Sequence, residues 1–145
     1  MHKMDNTPKI LTIIGLALEG LGVFGLLVGG FIMRNIGSLP FFDAELMQIP
    51  QEDLDLMIDL YEIFGGIMIV IGIITVFIFI INLVLFIKLI SGKFTEETAK
   101  KVYLYQAIWG GLNLLTNTIT GILYLVSGVQ GRSGHVEEKN IRAGI

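Results

Sequence analysis

The chain has no cysteine, which excludes disulfides, thiolate nucleophiles and cysteine-ligated metals. Its two histidines, His2 and His135, both lie in terminal segments, so no imidazole pair is available to a catalytic or metal centre. Charged residues make up 16% of the chain, against about 25% for a typical soluble domain. There is no G-x-S-x-G, H-E-x-x-H or P-loop pattern. The string from Gly20 to Gly25 matches G-x-G-x-x-G in letters alone, since no strand precedes it. Neither an enzymatic activity nor a cofactor is expected. The net charge of −3 and the absence of a basic cluster give no footing for nucleic acid.

What the chain does have is long apolar sequence. Hydrophobic residues form 53% of it and concentrate in three runs, 10–33, 63–87 and 102–129. Each exceeds the roughly 20 residues that cross about 30 Å of hydrocarbon. Pro8, Pro40 and Pro50 all lie outside these runs. The composition predicts an all-α integral membrane protein, a single membrane domain over 1–145. The first run is longer than a signal-peptide core and carries Glu19, so it reads as a retained helix.

Basic residues predict the orientation. Lys3 and Lys9 precede the first run, and Lys88, Lys93, Lys100 and Lys101 follow the second. The segment 34–62 has only Arg34, against Asp43, Glu45, Glu52, Asp53, Asp55, Asp59 and Glu62. Lys and Arg favour the cytoplasmic side. The amino terminus and the loop 88–96 are therefore expected in the cytoplasm of a plasma-membrane protein, and 34–62 outside.

The third run, taken as one helix, would be about 42 Å long, more than one upright span needs. Thr116-Asn117-Thr118 at its centre can form a turn, and Thr95 with Glu96 and Glu97 makes a helix start. The alternatives are three spans or four. Four is favoured, at about 10–33, 63–87, 97–115 and 118–130, because Arg132, Lys139 and Arg142 suit a cytoplasmic end.

Within these helices a few residues stand out. Glu19 is an ionisable side chain at bilayer depth, which costs roughly 2.5–3.5 kcal/mol on insertion scales. Such residues usually face a protein interior, where desolvation favours the protonated acid. No Lys or Arg within the spans can pair with it. Asn82, Gln106, Asn113 and Asn117 are candidate polar partners, and a packing role is weighed against a proton or cation site. Gly15, Gly22 and Gly29, with Gly25, form a small-residue seam suited to close helix packing within the chain or between copies. Tyr103 and Tyr105 suit an interfacial belt, and Trp109, one to two turns deeper, could line a pocket.

In the external segment, Glu52, Asp55, Asp59 and Glu62 share one helical face, opposite Leu54, Met57, Ile58 and Tyr61. The acidic face is a candidate for a cation or a basic partner, though it lacks the spacing of a calcium loop.

Two resemblances follow from these features. The glycine-rich first span, external acidic segment, second span ending before Gly92-Lys93 and closing stretch from Gly121 to Gly128 resemble a family of short bacterial four-helix membrane proteins of unknown function, common in Gram-positive bacteria. That resemblance implies a four-helix bundle in the plasma membrane. Glu19 in the first helix with Trp109 in the third is similar to the small multidrug resistance transporters, where a helix-one Glu exchanges protons for a cationic drug. Those transporters have short loops, whereas this chain has the segment 34–62. The expected role is a non-enzymatic membrane protein that binds or modulates a membrane or envelope partner. Its partners would be the lipid bilayer with a membrane protein or a second copy; the alternative is proton- or cation-coupled transport through Glu19.

Overall fold

The structure, a computed structural model, describes the backbone of residues 1–142 and the side chains of residues 1–134. Five α-helices account for most of it: α1 Asn6–Arg34, α2 Ala44–Met47, α3 Gln51–Ile90, α4 Glu96–Asn113 and α5 Thr118–Arg142. A 3-10 turn at Ile36–Ser38 follows α1, and no strand occurs among the described residues. The chain divides into two compact units. The first comprises Met1–Leu21 and Phe79–Ile145; the second is Gly22–Ile78. Both α1 and α3 run through the two units.

The helix ends follow local chemistry. Thr95 has extended backbone, and its hydroxyl accepts from the Thr98 amide at 3.4 Å, starting α4 where the sequence predicts. Glu96 and Glu97 complement the positive end of the helix. Thr95→Ala is expected to cost about 1 kcal/mol, read as faster hydrogen exchange at the Thr98 amide. α3 ends in a Schellman motif, with Gly92 at φ +67, Lys93 N donating to Lys88 O at 3.0 Å and Gly92 N to Leu89 O at 3.2 Å. Pro50 stands just before α3 rather than inside it, and its carbonyl accepts from Asp53 N and Leu54 N. The break at 114–117 matches the expected turn: Asn117 N donates to Asn113 O at 2.7 Å, and the Asn117 side chain caps α5 through Thr120 N.

One boundary differs. The sequence suggests a last helix ending near Gln130, but α5 continues to Arg142. Packing explains this. Gly131 lies directly against the Tyr103 ring and Gly134 beside Asp5, so glycines that weaken a free helix here allow a close approach. Lys139 and Arg142 lie outside the residues with described side chains.

The first unit has a core of Met4, Leu16, Phe86, Leu89, Ala99, Val102, Tyr103 and Tyr124. α4 and α5 approach closely in antiparallel fashion. A Cβ on Gly121 would lie 2.6 Å from Leu114 N, and one on Gly128 2.6 Å from Tyr103 O. In the second unit α1 and α3 meet backbone to backbone, since a Cβ on Gly65 would lie 2.6 Å from Gly30 O. The apolar face of the acidic segment is covered within that unit. Leu54 is buried, Gly37 sits on Ile58, and Phe42 meets the Tyr61 ring edge-on at 6.2 Å.

The seam in α1 is only partly used. Gly15 packs on Tyr124, and Gly29 has Met68 Cε 3.3 Å from where a Cβ would stand. Gly22 is half-buried. Gly25 is exposed, with open space around it, and takes no part in packing within the chain. At 3.6 residues per turn it sits about 80° around the helix from Gly15, off the line on which the heptad-spaced Gly15, Gly22 and Gly29 drift by only about 20° per repeat. Gly30, outside the predicted seam, is instead the glycine of α1 that meets backbone, with Gly65 O 2.9 Å from where a Cβ would stand.

Candidate functional site

Glu19 is buried in the first unit, 6% exposed, and both carboxyl oxygens are engaged. Asn82 on α3 donates its Nδ2 to Oε1 at 2.7 Å. Tyr124 on α5 donates its hydroxyl to Oε2 at 2.6 Å. Tyr105 on α4 donates in turn to Asn82 Oδ1. The chain Tyr105–Asn82–Glu19–Tyr124 thus ties together α4, α3, α1 and α5. Two donors on one carboxyl, each short, are the arrangement that makes a buried acid tolerable without a cation. The Trp109 indole nitrogen is buried beside the same carboxyl, without a hydrogen bond of good geometry among the described residues.

The helices aim these groups inward for a geometric reason. Leu16 and Glu19 are three apart and share the buried face of α1; Asn82 and Phe86 are four apart and share that of α3. The Tyr124 ring stands edge-on to Phe86 at 5.1 Å and fills the space left by Gly15. Its position is therefore set by packing, and its hydroxyl is delivered to Glu19 as a result.

A second polar layer lies about two turns away along α1. Hydroxyls of Thr12 and Ser127 each reach the Pro8 carbonyl at 2.8 Å and lie 2.7 Å apart. Gln106 donates its Nε2 to Thr12 Oγ1 at 2.7 Å. At the amino terminus His2 N donates to Phe94 O at 2.8 Å, and the His2 ring meets the Tyr103 hydroxyl at 2.8 Å.

The four expected partners of Glu19 separate. Asn82 reaches it. Gln106 is fully buried but spends its amide on Thr12, a layer away from Glu19. Asn113 donates to the Trp109 carbonyl, one turn back on its own helix. Asn117 caps α5 and approaches only the Leu18 carbonyl, at 3.5 Å. The last two lie at the α4–α5 turn, where free backbone groups compete for short amide side chains. Tyr103 and Tyr105 also depart from the belt expectation, since Tyr103 is 1% exposed and Tyr105 is bonded to Asn82. Tyr124 was legible only as part of an apolar motif. Its three-residue offset from Gly121 and from Ser127 placed it on the buried face of α5, and that was the one available signal.

Glu52, Asp55, Asp59 and Glu62 are all exposed along α3, and Asp55 accepts from Gln51 Nε2 at 2.8 Å. Among the described residues no three His, Cys, Asp or Glu side chains converge as a metal site would require. A line of carboxylates along one exposed helix face places neighbours about 5–6 Å apart at Cβ and points them outward, so they do not converge on one ion. Lys101 and Glu97, 3.4 Å apart, form a surface ion pair on α4.

Comparison with protein-family models, with curated proteins and with solved structures finds no match to this chain.

Proposed function

We propose that the chain is a multi-pass integral membrane protein with four spans, α1, α3, α4 and α5, and that Glu19 serves as a structural lock rather than a chemical centre. One observation carries this reading: the first unit buries polar side chains alongside its core and exposes large apolar ones on every long helix. Thr12, Glu19, Asn82, Gln106, Thr120 and Ser127 are buried. Ile10, Ile13 and Ile14 on α1, Ile80, Ile81 and Val84 on α3, Leu104, Ile108 and Leu112 on α4, and Ile119, Ile122 and Val126 on α5 are exposed. A soluble fold would cover most of these apolar side chains, because water rewards their burial. In lipid the apolar surface needs no cover, and interhelical hydrogen bonds with small-residue contacts hold the helices.

α1 and α3 are long and apolar enough to cross a membrane, and only 28% and 17% of their most apolar windows are buried. A core helix of a soluble protein would be mostly buried. In this reading the amino terminus and the α3–α4 loop are cytoplasmic and the acidic segment is external, following the Lys and Arg distribution. The protein is non-enzymatic and acts by binding a membrane or envelope partner, with its exposed Glu52, Asp55, Asp59 and Glu62 face available to that partner.

A second reading, proton- or cation-coupled transport of a small molecule, draws on Trp109 beside Glu19. One preparation tests both. The chain has no cysteine, so single cysteines at Ser38 and Ser91 report topology cleanly in oriented vesicles. Ser38→Cys is expected to react with an impermeant maleimide from outside and Ser91→Cys only after permeabilisation. In proteoliposomes, wild type and Glu19→Gln are expected to show the same proton flux. A pH gradient dissipated by wild type and not by Glu19→Gln would establish transport instead.

A further inference from the structure

The second unit holds two adjoining clefts where α1 ends and the apolar part of α3 begins. One, of about 440 Å³, is lined by Arg34, Asp59, Glu62, Ile63 and Gly66. The other, of about 400 Å³, continues from Arg34, Ile63 and Gly66 along Ile67, Val70 and Ile71. The first is polar and charged with both signs; the second is almost wholly aliphatic. Their shared wall is built by a missing side chain. A Cβ on Gly66 would lie 3.4 Å from Arg34 Nη1, so the guanidinium rests over bare α3 backbone. No described carboxylate is within ion-pairing distance of Arg34. Its fork of donors thus stays available, next to two carboxylates, at the mouth of an aliphatic groove.

We propose that this cleft binds a phospholipid whose headgroup carries both a phosphate and a primary ammonium. The phosphate sits on Arg34, the ammonium between Asp59 and Glu62, and one acyl chain along Gly66, Ile67, Val70 and Ile71. Three features select this occupant. Arg presents paired N–H groups that match a phosphate. Asp59 and Glu62 are three apart on a helix and share a face, so an ammonium can be approached by both. The groove then runs from these charges along exposed Ile67, Val70 and Ile71, in the direction α3 takes into the bilayer if it spans. A purely anionic headgroup would leave Asp59 and Glu62 without a cationic partner. A trimethylated ammonium would offer them no N–H. The inference rests on α1 and α3 spanning a membrane.

The test uses the full chain, purified in detergent, delipidated and titrated in native mass spectrometry with dioleoyl phosphatidylethanolamine, phosphatidylcholine and phosphatidylglycerol. Phosphatidylethanolamine is expected to bind about five- to tenfold tighter than either other lipid. Arg34→Gln is expected to weaken it about tenfold, and the Asp59→Asn, Glu62→Gln double variant to abolish the ranking in favour of phosphatidylglycerol. Gly66→Leu, which alters no charge, should weaken all three lipids together. Equal binding of the three lipids, or an Arg34→Gln variant that binds like wild type, overturns the proposal. So does soluble phosphoethanolamine competing as well as the lipid, since the groove would then be idle. Alkaline carbonate extraction of wild-type membranes separates the two readings. Release of the chain defeats the membrane reading itself, whereas retention with equal lipid binding defeats the lipid site alone.

Discussion

Tyr124→Ala is expected to destabilise the protein by about 3–5 kcal/mol, the range for deleting a fully buried aromatic side chain. The ring is 0% exposed, meets Phe86 edge-on and occupies the volume that Gly15 leaves open. Its loss removes that packing and also strips Glu19 Oε2 of its donor. Tyr124→Phe separates the two contributions. It keeps the ring and loses the hydroxyl, and should cost about 0.6–1.7 kcal/mol, from the average to the maximum measured for interhelical hydrogen bonds in a membrane protein. Reversible unfolding in mixed micelles measures both variants. A double-mutant cycle of Tyr124→Phe with Glu19→Gln should then show a coupling of at least about 0.5 kcal/mol, because each change removes part of the same bond. Equal costs for Phe and Ala at this position would mean that the hydroxyl, and not the ring, holds α5 in place. Purely additive effects in the cycle would refute the lock.

The second large effect separates two adjacent glycines. Gly110→Ala is expected to destabilise by about 1–3 kcal/mol, as overpacking does, whereas Gly111→Ala should stabilise by up to about 1 kcal/mol. Alanine is intrinsically the better helix former at both positions, so the surroundings decide the sign. A Cβ on Gly110 would press on the backbone of α5, at Leu125 N and, at 2.8 Å, Gly121 O. Backbone cannot rotate aside as a side chain can, so α4 and α5 must separate. A Cβ on Gly111 meets nothing within 4 Å. Gly121→Ala and Gly128→Ala should behave as Gly110→Ala does, for the same reason. Thermal unfolding of the paired variants in one detergent checks the contrast, and equal shifts for positions 110 and 111 would dispose of the close α4–α5 contact.

Several of these positions were legible before any coordinates. The all-helical class followed from the length of the apolar runs. The start of α4 followed from Thr95-Glu96-Glu97, and the break between α4 and α5 from Thr116-Asn117-Thr118. The last two are decided by residues within one turn of each other, and the first by neighbours along one run of chain. Glu19 was equally legible, because a lone carboxyl in apolar sequence needs a partner wherever the helix goes. Its partner was not. Asn82, Gln106, Asn113 and Asn117 are chemically similar, and spacing along one helix says nothing of which turn of another helix lies opposite. Tyr124 was missed because a tyrosine among Leu, Ile and Val reads as an apolar residue until its hydroxyl has somewhere to go. The extension of α5 to Arg142 was hidden for a related reason, since Gly131 and Gly134 signal a helix end unless a neighbour such as Tyr103 occupies the space they leave.

Sequence dictated that the chain is helical, that it carries apolar runs long enough to cross a membrane, and that one acid among them must be satisfied from within. Tertiary structure alone decided how. It chose Asn82 and Tyr124 for the carboxyl, assigned Gln106 to Thr12, left Gly25 in open space and brought Arg34 over Gly66. Hydropathy is a sum over neighbours in the chain and survives any rearrangement of the helices. A hydrogen bond or a glycine contact depends on angles and separations of about an ångström between residues far apart in the chain, 105 positions for Glu19 and Tyr124, and those exist only once the helices have packed.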